Sequence, residues 1–241
     1  GAQADDTTNT DNGAVHICFL DANADVQGSS LIAGGSAGES DIEFGRCVAN
    51  LGDIDGDGVT DIAVGEEAAV TIFFLNDDGS HHGSQRIADG VGGFSGGSGN
   101  SFGVSVSALP DLDGNGVADL LVGDSGDTDN GGNSGAVYVL HLQSDGTVLD
   151  SRKVTEGSGG FAGDIGTGDL FGARVAYLGN LDGDSHDEIA VGSYGDDDGG
   201  TSTGAVWVLD IDDTGFATST TKLGALNGIG ALLPYESLSR P

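Results

Sequence analysis

Basic residues are nearly missing from this chain: only seven of 241 residues are lysine or arginine. Nothing therefore resembles the basic patch that neutralises nucleic-acid phosphates, and no nucleic-acid partner is expected. Attraction to anionic membrane surfaces is disfavoured for the same reason. No apolar run approaches the eighteen or more residues that span a bilayer, so membrane insertion is not expected either. Methionine is absent, proline occurs three times and tryptophan once. The two cysteines, Cys18 and Cys47, fit no zinc spacing. They form either one disulfide, closing a loop of about thirty residues, or two independent thiols. No signal peptide is visible and the chain starts with Gly1, so a processed or trimmed N-terminus is expected.

Long helical patterns are also lacking, because glycine or a turn cluster interrupts almost every apolar run. What is abundant is glycine, with 46 residues, and acid, with 39. Short strands at regular spacing with turn signals between them indicate an all-β fold. The formal net charge of -32 suits either a saline medium, where a carboxylate surface keeps a protein soluble, or multivalent cation binding.

The acid is not spread evenly. A nine-residue loop occurs three times: Asp53-Ile-Asp55-Gly-Asp57-Gly-Val59-Thr-Asp61, Asp111-Leu-Asp113-Gly-Asn115-Gly-Val117-Ala-Asp119 and Asn180-Leu-Asp182-Gly-Asp184-Ser-His186-Asp-Glu188. Oxygen side chains at positions 1, 3, 5 and 9 of a tight turn, with a backbone carbonyl at position 7, can converge on one hard cation. That is calcium chemistry, and about three Ca2+ ions are expected. An EF-hand is excluded, since it needs a Glu at position 12 and flanking helices. Position 12 here is Val64, Val122 or Val191, within an apolar strand.

Each loop sits in the same setting. Before it comes a strand opening with Phe-Gly (44–51, 102–109, 171–178), and after it a short strand ending in Val-Gly (61–65, 119–123, 188–192). An alternating strand follows (68–75, 135–142, 204–211), then a weaker fourth (84–90, 151–157, 220–226). Four antiparallel strands repeating at Phe-to-Phe intervals of 58 and 69 residues make β-propeller-type blades, whose exposed faces are covered by stacking on one another. Three full blades are expected, over about 36–97, 98–160 and 161–227, within one domain. An N-terminal half blade (1–35) precedes them, holding strands at 13–21 and 29–34, and a tail (228–241) follows. Three and a half blades do not close a ring in the usual way, so self-association or a longer parent chain is expected.

The Phe-Gly strand, the DxDGDGxxD loop and the Gly-Ala-Val strand together resemble the FG-GAP repeats of the integrin α-subunit β-propeller and its bacterial relatives. The resemblance covers residues 13–226. It implies a calcium-stabilised propeller with the metal loops on one face. The first site would use Asp53, Asp55, Asp57 and Asp61 with the carbonyl of Val59. The second would use Asp111, Asp113, Asn115 and Asp119 with the carbonyl of Val117. The third would use Asn180, Asp182, Asp184 and Glu188 with the carbonyl of His186, and departs most, having Asn at position 1, Ser185 at position 6 and Glu at position 9. The resemblance also implies a ligand face at the opposite end, on the connections between second and third strands (5–12, 124–134, 194–203) and between blades. There Tyr194 is the surface aromatic, whereas Tyr138 and Trp207 are expected to pack between blades.

No catalytic constellation emerges. Two G-x-S-x-G matches, Gly34–Gly38 and Gly93–Gly97, lack the strand-to-helix setting of a nucleophile elbow. His16 and His141 are expected to be structural, and His81-His82 to lie in a polar turn. The leading expectation is a non-enzymatic, extracellular or cell-surface module for adhesion, binding a protein or carbohydrate ligand. The alternatives are an accessory or catalytic segment of a secreted polysaccharide- or lipid-active enzyme, and a purely structural self-assembling unit.

Overall fold

The computed structural model describes residues 1, 13–35, 43–97 and 101–224. Fourteen strands and no helix occur among them. Ala14–Leu20 (β1) and Val26–Ala33 (β2) form a two-stranded sheet. Three four-stranded sheets follow in chain order. The first is Cys47–Gly52 (β3), Asp61–Glu66 (β4), Ala69–Leu75 (β5) and His81–Ile87 (β6). The second is Phe102–Leu109 (β7), Asp119–Asp124 (β8), Ala136–Leu142 (β9) and Val148–Val154 (β10). The third is Arg174–Gly179 (β11), Asp187–Ser193 (β12), Ala205–Ile211 (β13) and Ala217–Gly224 (β14). Every sheet runs in simple antiparallel order, as propeller-type blades do.

The sheets stack face to face. Val15 and Ile32 of the two-stranded sheet meet Ile62, Val64 and Phe73 of the first blade. Ala63, Val70 and Ile72 on that blade's other face meet Val106, Leu120 and Leu140 of the second. Leu121, Val137 and Val139 then meet Val191, Trp207 and Leu209 of the third. Strands β5 and β9 are consequently buried along their whole length, and their sequences are apolar on both faces for that reason. In β13 burial alternates residue by residue, because only one face is covered among the described residues.

The recurring glycines are explained by the seam between blades. Gly103 and Gly172, which follow the phenylalanines, have φ of 86° and 88°. A Cβ on them would lie 2.1 Å from the Ala69 carbonyl and 2.2 Å from the Ala136 carbonyl of the preceding blade. Reciprocally, a Cβ on Gly65 or Gly123 would lie 2.2 or 2.0 Å from the carbonyl of Gly103 or Gly172. The Phe-Gly of one blade thus rests on the Val-Gly of the blade before it. The phenylalanines plug the same seam: Phe102 stacks on Phe94 with ring centroids 4.7 Å apart, and Phe171 lies 5.1 Å from Phe161.

Several boundaries differ from expectation. The fourth strands begin three residues early, at His81, Val148 and Ala217. In the first blade Asp78 caps a tight turn through Ser80, its Oδ1 accepting from the Ser80 amide at 2.9 Å. Asp145 and Asp212 do the same toward Thr147 and Thr214, at 3.0 and 2.9 Å. His81 and His82 therefore lie in β6 rather than in the turn. The first and third Phe-Gly pairs precede their strands, which start at Cys47 and Arg174. Cys18 and Cys47 are both free thiols, and burial pushes the Cys47 thiol up to about 11.

Candidate metal loops and the opposite face

All three acidic loops join the first two strands of a blade, so they share one end of the sheets with the tight turns after β5, β9 and β13. In the first loop Asp53 Oδ1 accepts the Gly56 amide at 2.8 Å and its Oδ2 the Gly58 amide at 2.9 Å. Asp111 does the same toward Gly114 and Gly116, both at 2.8 Å. Asp57 and Asn115 accept the amides two residues on, at 2.7 Å. These bonds bend the backbone around its own carboxylates; Asp111 Oδ1 also accepts the Asn115 amide at 3.0 Å, while both Asp53 oxygens and Asp111 Oδ2 keep a further lone pair.

The ninth position anchors the loop to the sheet. Asp61 is fully buried at the start of β4, accepting from Ile54 and from Leu75, each at 3.0 Å. Asp119 is its counterpart, accepting from Leu112 and Leu142 at the same distance. One oxygen each from Asp53, Asp55 and Asp61 lies within 4.8 Å of the others, and the same holds for Asp111, Asp113 and Asp119. Burial, and then the charges of Asp55 and Asp57, push the Asp61 carboxyl above its ordinary range. Clustered oxygen-only donors with excess negative charge fit a hard divalent cation.

The third loop is built differently. Asn180 Oδ1 accepts from Gly183 at 2.6 Å, but its Nδ2 donates to the Asp184 carbonyl at 2.7 Å. An amide NH2, a donor, thus occupies the place of the second carboxylate oxygen. Ser185 stays out of the left-handed region that Gly58 and Gly116 enter, with φ of 93° and 90°. Asp182 accepts from Asp184 at 3.1 Å and Glu188 from Leu181 at 2.5 Å. The convergent titratable trio here is Asp184, His186 and Asp210, not positions 1, 3 and 9.

A histidine lies against a carboxylate at this end of all three blades, from the neighbouring strands in the first two and from position 7 of the loop itself in the third. His82 Nε2 lies 3.1 Å from Asp55. His141 Nδ1 lies 3.0 Å from Asp119, a hydrogen bond that raises the pKa of the ring against the opposing effect of burial. His186 Nδ1 lies 3.3 Å from Asp210.

The opposite end carries another recurrent device. Thr71, Tyr138 and Trp207 face Arg86, Lys153 and Lys222 across the third and fourth strands. Arg86 pairs with buried Glu66 at 3.0 Å. Lys153 bridges Asp127 and Asp129, both at 2.6 Å, 5.8 Å from the centre of the Tyr138 ring. Lys222 pairs with Asp196 and Asp198 and lies 4.8 Å from the Trp207 ring centre. A cleft of about 420 Å³ opens there, between the first and second blades, lined by Asp89, Asp129, Tyr138, Ser151, Lys153 and Ser95–Gly97. Tyr138 and Trp207 are packed and Tyr194 is 43 % exposed. The connection at 5–12, the tail and the end of the first G-x-S-x-G match lie outside the described residues. The second match, Gly93–Gly97, follows β6 in an irregular connection with no helix after it.

Comparison with known proteins gives the same answer as the seam and the loops. A family model described as FG-GAP-like repeat matches residues 53–122, and one described as FG-GAP repeat matches residues 171–209. FG-GAP-type repeats are thus matched over residues 53–122 and 171–209. It is also similar to integrin alpha-5 of Xenopus laevis, 39 % identical over 87 residues, and to integrin alpha-4 of the same species, 38 % identical over 87. Each match takes in 33 % of this chain and 8 % of the relative, so the FG-GAP chain spans less than a tenth of those proteins.

Proposed function

We propose that this FG-GAP chain is a non-enzymatic, calcium-stabilised binding module of the extracellular space or cell surface. The observation that supports it most is the convergence of Asp53, Asp55 and Asp61, and of Asp111, Asp113 and Asp119, at the roots of two loops. Calcium would be held there with Asp57, Asn115 and the carbonyls of Val59 and Val117, joining the first two strands of a blade to the end of the third. At extracellular calcium levels even sites of about 10⁻⁴–10⁻³ M fill. The protein or carbohydrate ligand is assigned to the opposite end, where Asp89, Asp129, Lys153 and Tyr138 line a polar cleft. The integrin resemblance supports the adhesive part of this reading by analogy.

Calorimetric titration of the chain with calcium tests the metal part. Asp53→Asn and Asp111→Asn are each expected to remove one binding event, and unchanged stoichiometry in both would sink it. A panel of proteins and polysaccharides passed over the immobilised chain tests the rest. Retention without product is expected, whereas released product would make the chain an enzyme.

A further inference from the structure

We propose that the third loop, with the end of β13, forms a site for a borderline transition ion of the zinc class, held by Asp184, His186 and Asp210. One ligand atom from each lies within 4.8 Å of the others. His186 Nδ1 is 3.3 Å from Asp210 Oδ1 and 4.0 Å from Asp184 Oδ2. An imidazole with two carboxylates is a donor set that zinc, copper and nickel accept, whereas calcium takes oxygen.

A separate observation comes from Asp210, which lies outside the repeated loop. Its counterparts in the first two blades are Phe74 and His141. Asp210 Oδ1 is closed off from solvent and makes no hydrogen bond. The His186 ring nitrogen, 3.3 Å away, is within ion-pair range of it. A desolvated carboxylate oxygen without a donor is costly unless a cation completes it. Thr218 Oγ1, 3.5 Å from the same nitrogen, borders the site on the β14 side.

The first blade shows why the third is singled out. Asp55, Asp57 and His82 also converge there, but Asp55 belongs to the oxygen cluster with Asp53 and Asp61, and calcium competes for it. In the third blade position 1 is Asn180, and Asp182 and Glu188 belong to no such carboxylate trio among the described residues. The preference for the third blade over the first rests on calcium holding Asp55, as proposed above, whereas the site itself rests on Asp184, His186 and Asp210.

The test is a calorimetric titration of the full chain with zinc, in saturating calcium. One zinc per chain is expected, bound at least tenfold more weakly by His186→Ala and by the near-isosteric Asp210→Asn, and unchanged in His82→Ala. With cobalt as the probe, a visible absorption band should appear in the parent chain and be lost in His186→Ala. Absence of zinc uptake, or equal uptake by the parent and His186→Ala, overturns the proposal. So does loss of uptake in His82→Ala alone. The calcium reading is scored separately, by the Asp53→Asn and Asp111→Asn titrations.

Discussion

Asp124 closes β8 with a carboxyl group that is wholly buried and has no well-formed hydrogen bond on either oxygen. Its counterparts avoid the problem: Glu66 has Arg86 and Thr71, and the third blade substitutes Ser193, whose hydroxyl donates to the Asp169 carbonyl at 2.8 Å. Burial first, and then the charge of Asp127, push the Asp124 carboxyl from 3.8 up to about 7. The raised value means that the folded state holds this proton more tightly than the unfolded chain does. Stability from the protonated form is fully present below about pH 4 and is lost as pH rises through about 7. Asp124→Asn, which cannot ionise, should therefore gain on the parent as pH rises, by an amount on the order of 1–3 kcal/mol above pH 7. Melting of both proteins at pH 5 and pH 8 measures it. A gap of the same size at both values would contradict the assignment.

Within a blade, the acidic-loop hairpin and the Phe-Gly contact are separate supports, one local and one between neighbours. Gly172→Ala places a methyl group 2.2 Å from the Ala136 carbonyl and also strains a φ of 88°. Gly168→Ala meets the same strain, at φ 87°, in open space. Backbone strain costs about 1–3 kcal/mol, so Gly168→Ala should lower the melting temperature by several degrees. Gly172→Ala should lower it clearly more, and equal losses would show that the seam is not closely packed. The loops and the order of the first three strands of each blade were legible in the sequence because each needs a fixed residue at a fixed spacing, whereas Phe-Gly read as the opening of a strand and only the fold shows it as the seam between blades. The fourth strands were less so. Their cross-strand partners are read from the turn, and the Asx-type caps at Asp78, Asp145 and Asp212 looked like ordinary acidic loop residues. The pairing of His82, His141 and His186 with carboxylates was hidden too. These histidines come from three different elements, and only the fold brings them to one end.

Across the whole molecule, the few cations are placed with economy. Arg86, Lys153 and Lys222 occupy one register position in successive blades, each neutralising the acidic connection beside it. The opposite end has the acidic loops and no lysine or arginine paired with them among the described residues. One end thus carries its own counter-charge, while the acidic loops at the other have no lysine or arginine partner among the described residues. On the proposed calcium reading, the stability of the array would depend on added divalent cation, because an ion that binds only the folded state stabilises it by mass action. The composition showed the excess acid but not its sorting by face, since that depends on which strand ends meet.

The most direct test is thermal unfolding of the chain at fixed salt in calcium, in magnesium and in chelator. A large rise in melting temperature is expected with calcium, a small one with magnesium and the lowest value in chelator. The calcium gain should shrink in Asp53→Asn and Asp111→Asn. Coincident melts in calcium and chelator would contradict the calcium reading and leave the acidic loops as turns without a cation.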